Sequence, residues 1–352
     1  MLPVPAPLAL QAFTPEPLAH ALGITTAEAR KIVSAVHRGR HLEPMEGVRR
    51  SASESMRARG HVPSLEVRDV RRSALDPFVK FALATADGHV VEAVRIPLEK
   101  AGRFSACVSS QAGCALACAF CATGRLGLSR NLEVWEIVEQ VRVVRSTLGP
   151  GERVHGVVFQ GMGEPLANVE RVLAAIRVMN DPCALAIDSR AITVCTSGLP
   201  SGIRQLAREA PKVRLGVSIG SARRDVRRSL MPIDAAHSLD EVIAAVEEHA
   251  RVTGLAPMWA VTPLAGVNDT EDDARALAAL IHGFEARVGV RPRLSVVPYN
   301  AIDVAGRDPF SRGDVAAFVD RLVACGVRPH LRYSGGSDVA AACGQLGRTS
   351  GG

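Results

Sequence analysis

The segment CVSSQAGCALACAFC covers residues 107–121 and contains four of the chain's eight cysteines. Its last three cysteines, Cys114, Cys118 and Cys121, form a C-x3-C-x2-C run on one expected loop. Thiolates this close together can bind one metal centre, and soft sulfur ligands suit zinc or an iron–sulfur cluster. A structural zinc site needs four protein ligands, whereas three thiolates on a four-iron cluster leave one iron open for chemistry. Zinc and metal-free structural cysteines are the alternatives at this point.

Composition predicts a globular protein with a large core, since 47% of the 352 residues are hydrophobic and 22% are charged. The longest uncharged stretch, Val252 to Asn268, contains Pro257 and Pro263 and predicts no membrane span. Residues 1–13 carry no basic residue, so we expect no secretory signal. The expected location is the cytoplasm, where thiols stay reduced and disulfides are rare.

Basic residues concentrate in the N-terminal part. Residues 30–72 contain eleven Lys/Arg and five Asp/Glu, and this surplus of six equals the formal net charge of the whole chain. Such a lobe predicts contacts with phosphate groups, although a solvated basic surface is the simpler alternative. A second basic group lies beside an expected strand end and consists of Arg223, Arg224, Arg227 and Arg228. We expect further phosphate contacts there.

Strands and helices alternate from Phe104 onward. The predicted strands cover residues 105–109, 154–160, 191–196, 213–219, 258–261, 293–298 and 327–332. Among the helices between them, four are expected to begin at the capping residues Asn131, Asn168, Ser238 and Ser311. A repeated βα pattern predicts a parallel sheet with helices outside it. Cys183, Cys195 and Cys325 fall in these elements or their connections, and we interpret them as packing residues.

The N-terminal part predicts a small helical or α+β domain. A helix is expected over residues 27–33, with Thr25 or Thr26 as its cap. Residues 78–84 and 90–96 predict the two strands of a hairpin. The expected division of the chain is an accessory basic domain at 1–90, a βα body at 91–335 and a C-terminal segment at 336–352.

Small or polar residues follow several predicted strands. They are Gly163 and Glu164 after the second strand, Ser197 after the third, Ser218, Ile219 and Gly220 at the fourth, and Asn300 after the sixth. Because the carboxyl ends of parallel strands meet at one edge, these groups predict a hydrogen-bonding rim for a polar cofactor. Glu164 places a carboxylate where an ammonium group can bind. Each residue alone is also compatible with an ordinary turn or cap.

Four further motifs accompany the cysteine run in chain order. They are CVSSQ at 107–111, GMGEP at 161–165, TSG at 196–198 and AACGQL at 341–346. The cysteine loop resembles that of the radical S-adenosylmethionine (SAM) superfamily, and the motifs together resemble its RlmN/Cfr family of RNA adenine methyltransferases. The resemblance implies a partial (β/α)6 barrel of the TIM type, with chemistry at the carboxyl ends of the strands. It also implies that the accessory basic domain at 1–90 recognises RNA. Two positions depart from the family pattern, since Gly220 replaces a histidine and Tyr299 a tryptophan.

The resemblance implies a role for each cysteine of the site. Cys114, Cys118 and Cys121 would bind a [4Fe-4S] cluster, and the polar rim would bind SAM beside it. Cys343 would take a methyl group from one SAM and carry it as S-methylcysteine, while a second SAM on the cluster would start the radical reaction. Cys107 would then form a transient disulfide with Cys343 as the methylated base leaves.

The resemblance also implies the substrate, and Glu92 would accept the proton that leaves the adenine ring. Members of the RlmN type methylate carbon 2 of an adenine in 23S ribosomal RNA and act on some tRNAs, so carbon 2 is the first prediction. Methylation of carbon 8, as in Cfr-type members, or of another RNA is the alternative. A zinc-bearing, non-catalytic RNA-binding protein is the alternative from a different class. We further expect a flavodoxin or ferredoxin as electron donor, a monomer, and no membrane association.

Overall fold

The structure, a computed structural model, describes residues 7–40, 45–302 and 308–347 of the chain. These ranges contain ten α-helices: α1 (Pro15–Leu22), α2 (Thr26–His37), α3 (Arg50–Arg59), α4 (Val134–Ser146), α5 (Val169–Asn180), α6 (Pro200–Glu209), α7 (Arg224–Leu230), α8 (Leu239–Thr253), α9 (Glu271–Val288) and α10 (Val315–Ala324). The same ranges contain fourteen strands: β1 (Leu8–Ala9), β2 (Gly60–His61), β3 (Glu66–Arg72), β4 (Val79–Ala84), β5 (Val90–Pro97), β6 (Arg103–Cys107), β7 (Gln111–Cys114), β8 (Gly127–Asn131), β9 (Arg153–Phe159), β10 (Ile192–Thr196), β11 (Arg214–Ser218), β12 (Met258–Val261), β13 (Arg293–Val296) and β14 (His330–Leu331). None of the described helices combines the length and apolar composition that crossing a membrane requires.

Ten strands form one open sheet in the spatial order β14-β13-β12-β11-β10-β9-β6-β5-β4-β3. The seven strands from β14 to β6 pair in parallel, and β5, β4 and β3 continue the sheet with antiparallel pairing. Apolar residues of the strands and of the helices that connect them form the main core. This architecture confirms the predicted α/β fold with a central parallel sheet.

The sheet curves until its two ends approach each other. Tyr333, just after β14, packs edge-on against Phe78, just before β4, with the ring centroids 6.2 Å apart. The Tyr333 hydroxyl also donates to Asp76 Oδ2 at 2.9 Å. The curved sheet therefore encloses an interior, as a partial barrel does.

Residues before β3 pack around a second apolar cluster, with members from α1, α2, α3 and the short 3-10 segment Leu10–Ala12. Thr25, one of the two expected caps, closes the start of α2 through a capping box with Glu28. Arg49 pairs with Glu28 at 2.8 Å and ties the start of α3 to α2. The large sheet crosses the domain boundary expected at residue 90, because β3 and β4 pair onto β5 of the body.

Two predicted helix caps are wrong. Helix α4 begins after Glu133 rather than Asn131, and α10 begins after Asp314 rather than Ser311. In both cases a carboxylate two or three residues further along takes the position before the helix, where free N–H groups and the helix dipole favour negative charge. Asn168 does stand directly before α5, but its side chain donates to two loop carbonyls instead of capping the helix.

Candidate active site

The cysteine run lies between two short strands at the mouth of the barrel. β7 and β8 pair antiparallel with Cys114 opposite Gly127, and the loop between them carries Cys118 and Cys121. Gly113 has a positive φ of 78°, and a Cβ there would collide with the carbonyl oxygen of Gly127. Only glycine allows this close pairing beside the first cysteine. All three thiols line one cavity as a result.

Burial sets the protonation state of these thiols. Cys118 is buried, and Cys114 and Cys121 are half-buried. Burial raises the pKa of Cys114 to about 11 and that of Cys118 to about 12. Both thiols are therefore protonated at neutral pH unless a metal stabilises the thiolate.

Three thiols on one loop form a donor set that fits a [4Fe-4S] cluster with one open iron. Within residues 7–40, 45–302 and 308–347, no three or more His, Cys, Asp or Glu side chains are arranged to hold a single metal ion. The ligands of a cluster bind different irons, so they need not converge on one point. Cys114, Cys118 and Cys121 thus fit the predicted cluster by their chemistry and by their shared cavity.

The cavity beside this loop has a volume of about 160 Å³ and lies at the carboxyl ends of the parallel strands. We call it the cluster cavity. Its walls include six of the seven predicted rim residues: Gly163, Glu164, Ser197, Ser218, Gly220 and Asn300. Ile219 lines no cavity that we describe; it is fully buried, and its N–H donates to the Ala260 carbonyl at 2.9 Å. The structure therefore brings the predicted rim together, while the part of each residue in cofactor binding stays a prediction.

Glu164 is a buried carboxylate that faces the cluster cavity. Its Oε2 accepts a hydrogen bond from the Ser197 N–H at 2.8 Å, and its Oε1 accepts from the Leu166 N–H at 3.0 Å. Burial raises the pKa of Glu164, and no Lys or Arg in the described part of the chain offsets this shift. A buried carboxylate without a protein cation fits a positively charged ligand, such as the ammonium group of SAM.

Arg227 has a structural role that sequence reasoning missed. Its guanidinium is fully buried and pairs with Asp234 at 2.9 Å. It also donates to the carbonyls of Ser197 at 2.9 Å and Ser218 at 3.1 Å, and so holds the ends of β10 and β11 together at the cavity rim. The expected phosphate contact of Arg227 is therefore wrong. No pattern in the sequence distinguishes Arg227 from its exposed arginine neighbours.

The C-terminal segment that carries Cys343 docks onto the cysteine loop. The carbonyl of Gly344 accepts from the Ala122 N–H at 2.8 Å. The carbonyl of Leu346 accepts from the Thr123 hydroxyl at 2.7 Å. These contacts bring a residue more than 200 positions away in sequence to the edge of the predicted metal site.

A second cavity, of about 450 Å³, occupies the interior of the barrel, and we call it the barrel cavity. Cys107, at the end of β6, lines this cavity, and the three cysteines of the loop line only the cluster cavity. Cys343 lines both cavities. Asn300 donates to the Cys343 carbonyl at 3.3 Å and fixes the backbone at this junction. Cys343 thus lines the cavity of the three loop cysteines and also the cavity of Cys107.

The surroundings of Cys343 and Cys107 raise the pKa of both thiols. The Cys343 side chain is accessible from the cavities although the barrel surrounds it. Burial raises the pKa of Cys343, and the Arg332 guanidinium opposes this shift. Burial raises the pKa of Cys107 beyond the ordinary range of a thiol, and proximity to Cys343 raises it further. All eight cysteines of the chain are unpaired in the structure.

Cys195 also belongs to the site, although its sequence context indicated packing. Its side chain lines both cavities, as that of Cys343 does. The sequence signal for this role is the alternation of apolar and polar residues along β10. In the structure, Ile192 and Val194 are fully buried and Cys195 is half-buried. That alternation separates the two faces of the strand without showing which face lines the barrel interior.

Glu92 lies beneath the C-terminal segment and lines neither cavity. Its Oε1 pairs with Lys80 Nζ at 3.0 Å, and both side chains are almost completely buried. The Gly347 N–H donates to Glu92 Oε2 at 2.6 Å. Glu92 therefore ties the C-terminal segment to β5. Its role as a proton acceptor stays a prediction. That role requires a path for the proton from the barrel cavity to the Glu92 carboxylate.

The two departures from the family pattern are accommodated locally. Gly220 has a positive φ of 68°, and a Cβ there would lie 2.6 Å from Met231 Sδ, so the space beside it is already filled. Tyr299 lines the cluster cavity and donates its hydroxyl to Asp308 Oδ2 at 2.6 Å.

Known proteins are similar to this chain in sequence and in fold. Residues 108–281 match the family model of the radical SAM superfamily. A probable RNA methyltransferase of Sorangium cellulosum is 58% identical, over 96% of this chain and 91% of that protein. A probable dual-specificity RNA methyltransferase RlmN of Moorella thermoacetica is 37% identical over 94% of each chain. The crystal structure of a radical SAM methyltransferase from Sphaerobacter thermophilus matches with a TM-score of 0.85 at 32% identity, and covers 97% of this chain and 100% of that one.

Proposed function

The chain belongs to the radical SAM superfamily and, within it, to the RlmN-type RNA methyltransferases, and from this premise we propose its target and its route. It methylates carbon 2 of an adenosine in 23S ribosomal RNA, and of some tRNAs, through a methyl group carried on Cys343. Membership of a methyltransferase family excludes the zinc-bearing, non-catalytic alternative.

The position of Cys343 is the single observation that carries the proposal. Carbon 2 of adenine is electron-poor, and the methyl group of SAM is an electrophile, so direct polar transfer between them fails. A carrier thiol solves this problem if it reaches both the predicted cluster and the base. Cys343 lines the cluster cavity and the barrel cavity, and its segment is bonded to the cysteine loop.

Cys114, Cys118 and Cys121 hold the cluster in this proposal, and Glu164 binds the ammonium group of SAM. When bound there, cluster and SAM supply the one-electron chemistry that activates an unreactive C–H bond. Two SAM molecules are used in each turnover, one as the methyl donor to Cys343 and one at the cluster.

Release of the product uses Cys107. Its thiol loses a proton as the sulfur donates an electron pair to the Cys343 sulfur, an S–S bond forms, and the bond from that sulfur to the transferred carbon breaks. The freed electron pair takes a proton and completes the methyl group on the base. Glu92 accepts the proton that leaves the ring. An external dithiol then reduces the disulfide and is itself oxidised.

The RNA backbone is bound by the basic N-terminal part in this proposal. Arg57, Arg59 and Arg72 are exposed on α3 and β3 and can contact phosphates. A flavodoxin or ferredoxin supplies single electrons, and the enzyme acts as a monomer in the cytoplasm, where thiols are kept reduced.

The test is methylation of unmodified 23S ribosomal RNA in vitro. The RNA is incubated anaerobically with the reconstituted enzyme, a reductant and SAM with a deuterated methyl group, and then digested to nucleosides for mass spectrometry. We expect labelled 2-methyladenosine. Labelled 8-methyladenosine would move the target to carbon 8, and unlabelled adenosine throughout would contradict the substrate proposal.

A further inference from the structure

Cys195 points into the barrel. On β10, Thr193 and Cys195 line the barrel cavity, while Ile192 and Val194 are fully buried in the layer between sheet and helices. On the neighbouring strand β11, Gly216 pairs with Cys195, and a Cβ on Gly216 would lie 2.8 Å from the Cys195 sulfur. The absence of a side chain at Gly216 leaves room for this sulfur.

The two cavities meet at Cys195 and Cys343. Both side chains line both cavities, whereas Cys107 lines the barrel cavity alone. As it does for Cys107, a charge on Cys343 raises the pKa of Cys195. Burial is the larger cause and brings that pKa to about 12, while the Arg332 guanidinium opposes the shift. Cys195 and Cys343 therefore line the same two cavities, and the same cation, Arg332, lies near both.

The strand register decides which thiols can pair. Cys107 on β6 lies level with Val158 on β9, which lies level with Thr193 on β10. Cys195 is therefore two strands across and two residues further toward the cysteine loop. At about 4.8 Å between strands and about 3.3 Å per residue, the Cα atoms of Cys107 and Cys195 are about 12 Å apart. A disulfide needs a Cα separation below about 7 Å, so these two cysteines cannot pair with each other.

We propose that Cys195 is a second resolving thiol for Cys343, an inference that rests on the proposed function. Cys343 lies on the C-terminal segment rather than in the sheet, and its side chain lines the barrel cavity, which Cys107 and Cys195 also line. The Cys195 thiol loses its proton as its sulfur attacks the Cys343 sulfur, the S–S bond forms, and the sulfur–carbon bond to the base breaks. The electron pair of that bond takes a proton to complete the methyl group. An external dithiol restores both thiols and becomes a disulfide.

The first test compares release in two variants of the full-length, cluster-loaded enzyme. Cys107→Ser and Cys107→Ser/Cys195→Ser are each incubated with SAM, reductant and unmodified 23S ribosomal RNA, and the covalent protein–RNA adduct is measured on denaturing gels. We expect severalfold more adduct in the double variant, because neither thiol remains to release it. Cys107→Ser/Cys325→Ser is the matched control and should behave as Cys107→Ser does. Equal adduct in all three variants overturns the inference.

The second test needs neither RNA nor turnover. Cluster-loaded Cys107→Ser is equilibrated anaerobically in a buffer of reduced and oxidised glutathione, alkylated, digested and mapped by mass spectrometry. We expect a Cys195–Cys343 disulfide there, and in the wild type both Cys343 disulfides without a Cys107–Cys195 pair. Recovery of Cys343 only as alkylated or glutathione-bound peptide overturns the inference. Failure of RNA methylation in the wild type, with the expected map, would instead count against the proposed function.

Discussion

The cluster cavity and the barrel cavity differ in how their walls are made. The cluster cavity is lined by loop and strand-end residues, with three thiols and the Glu164 carboxylate. The barrel cavity is lined mainly by side chains that point inward from the strands, such as Val158 and Met258, together with Cys107 and Cys195. The difference suggests a division of work, with one-electron chemistry in the first cavity and carriage and release of the methyl group in the second. Cys343 connects the two.

The C-terminal segment makes this connection without belonging to the sheet. Asn300 donates a hydrogen bond to the Cys343 carbonyl, and the cysteine loop is hydrogen-bonded to the residues that follow. Glu92 accepts a hydrogen bond from the N–H of Gly347. If the two cavities do separate tasks, variants on either side should lose different properties.

The largest effect is expected from Cys343→Ala. Methylation should fall at least about a thousandfold, because the carrier atom is lost, while the absorbance of the iron–sulfur cluster is retained. The matched variant Cys118→Ala should lose both methylation and cluster absorbance. Iron and sulfide analysis of anaerobically purified protein, beside a methylation assay, checks the pair. Loss of the cluster in Cys343→Ala would show that Cys343 is a cluster ligand. The two cavities would then not have separate tasks.

Lys80→Met should destabilise the protein by about 3 to 5 kcal/mol, because it leaves the buried Glu92 carboxylate without its cation. Denaturant unfolding of the protein measures this change. The double variant Lys80→Met/Glu92→Met should recover most of the loss, since no buried charge remains. A Lys80→Met protein with wild-type stability would show that the fold does not need Lys80 to balance the charge of Glu92.

A buried histidine on a helix outside both cavities provides a pH-dependent comparison of stability. His249 on α8 is fully buried, neither ring nitrogen has a hydrogen-bond partner, and burial lowers its pKa to about 4. Because this pKa lies below the unfolded value of about 6.5, its stability contribution is complete above pH 6.5 and is lost as the pH falls toward 4. The loss amounts to about 3 kcal/mol.

His249→Leu should remove this part of the pH dependence, with methylation near neutral pH unchanged. Unfolding at several pH values checks the slope. Burial lowers the pKa of His37 to about 3, so His37 also contributes to the loss of stability at low pH. The variant keeps that contribution. An unchanged slope of the unfolding free energy between pH 6.5 and 4 would show that His249 does not stay neutral in the fold. Altered methylation would show that this part of α8 affects the cavities.

The smallest effect is expected from Asn300→Ala. Loss of its hydrogen bond to the Cys343 carbonyl should slow methylation about tenfold at saturating SAM, with the KM for SAM unchanged. Ser334→Ala is a suitable control, because it removes another partner of the same amide and leaves the Cys343 contact. A raised KM with normal kcat would instead return Asn300 to the cofactor-binding role that its rim position predicted.

Much of the fold follows from local patterns, because the βα alternation and the apolar periodicity of the helices place most strands within a few residues. Helix starts were less predictable where two polar residues compete, as Asn131 and Glu133 do before α4. The placement of Cys107, Cys343 and the cysteine loop in one site followed from resemblance rather than from spacing. The roles of Arg227 and Cys195 escaped prediction because they depend on which neighbours the curved sheet brings to them. Parallel strands are covered on both faces, so polarity does not reveal which face lines the interior.

The most direct test of the carrier role of Cys343 is to locate the methyl group on the protein. Wild-type enzyme is incubated with SAM that carries an isotopically labelled methyl group, digested, and analysed by peptide mass spectrometry. The account predicts labelled methyl on the peptide that contains Cys343 and none on the peptides of Cys107 or Cys195. RNA that acquires the label while every cysteine peptide stays unmethylated would contradict it.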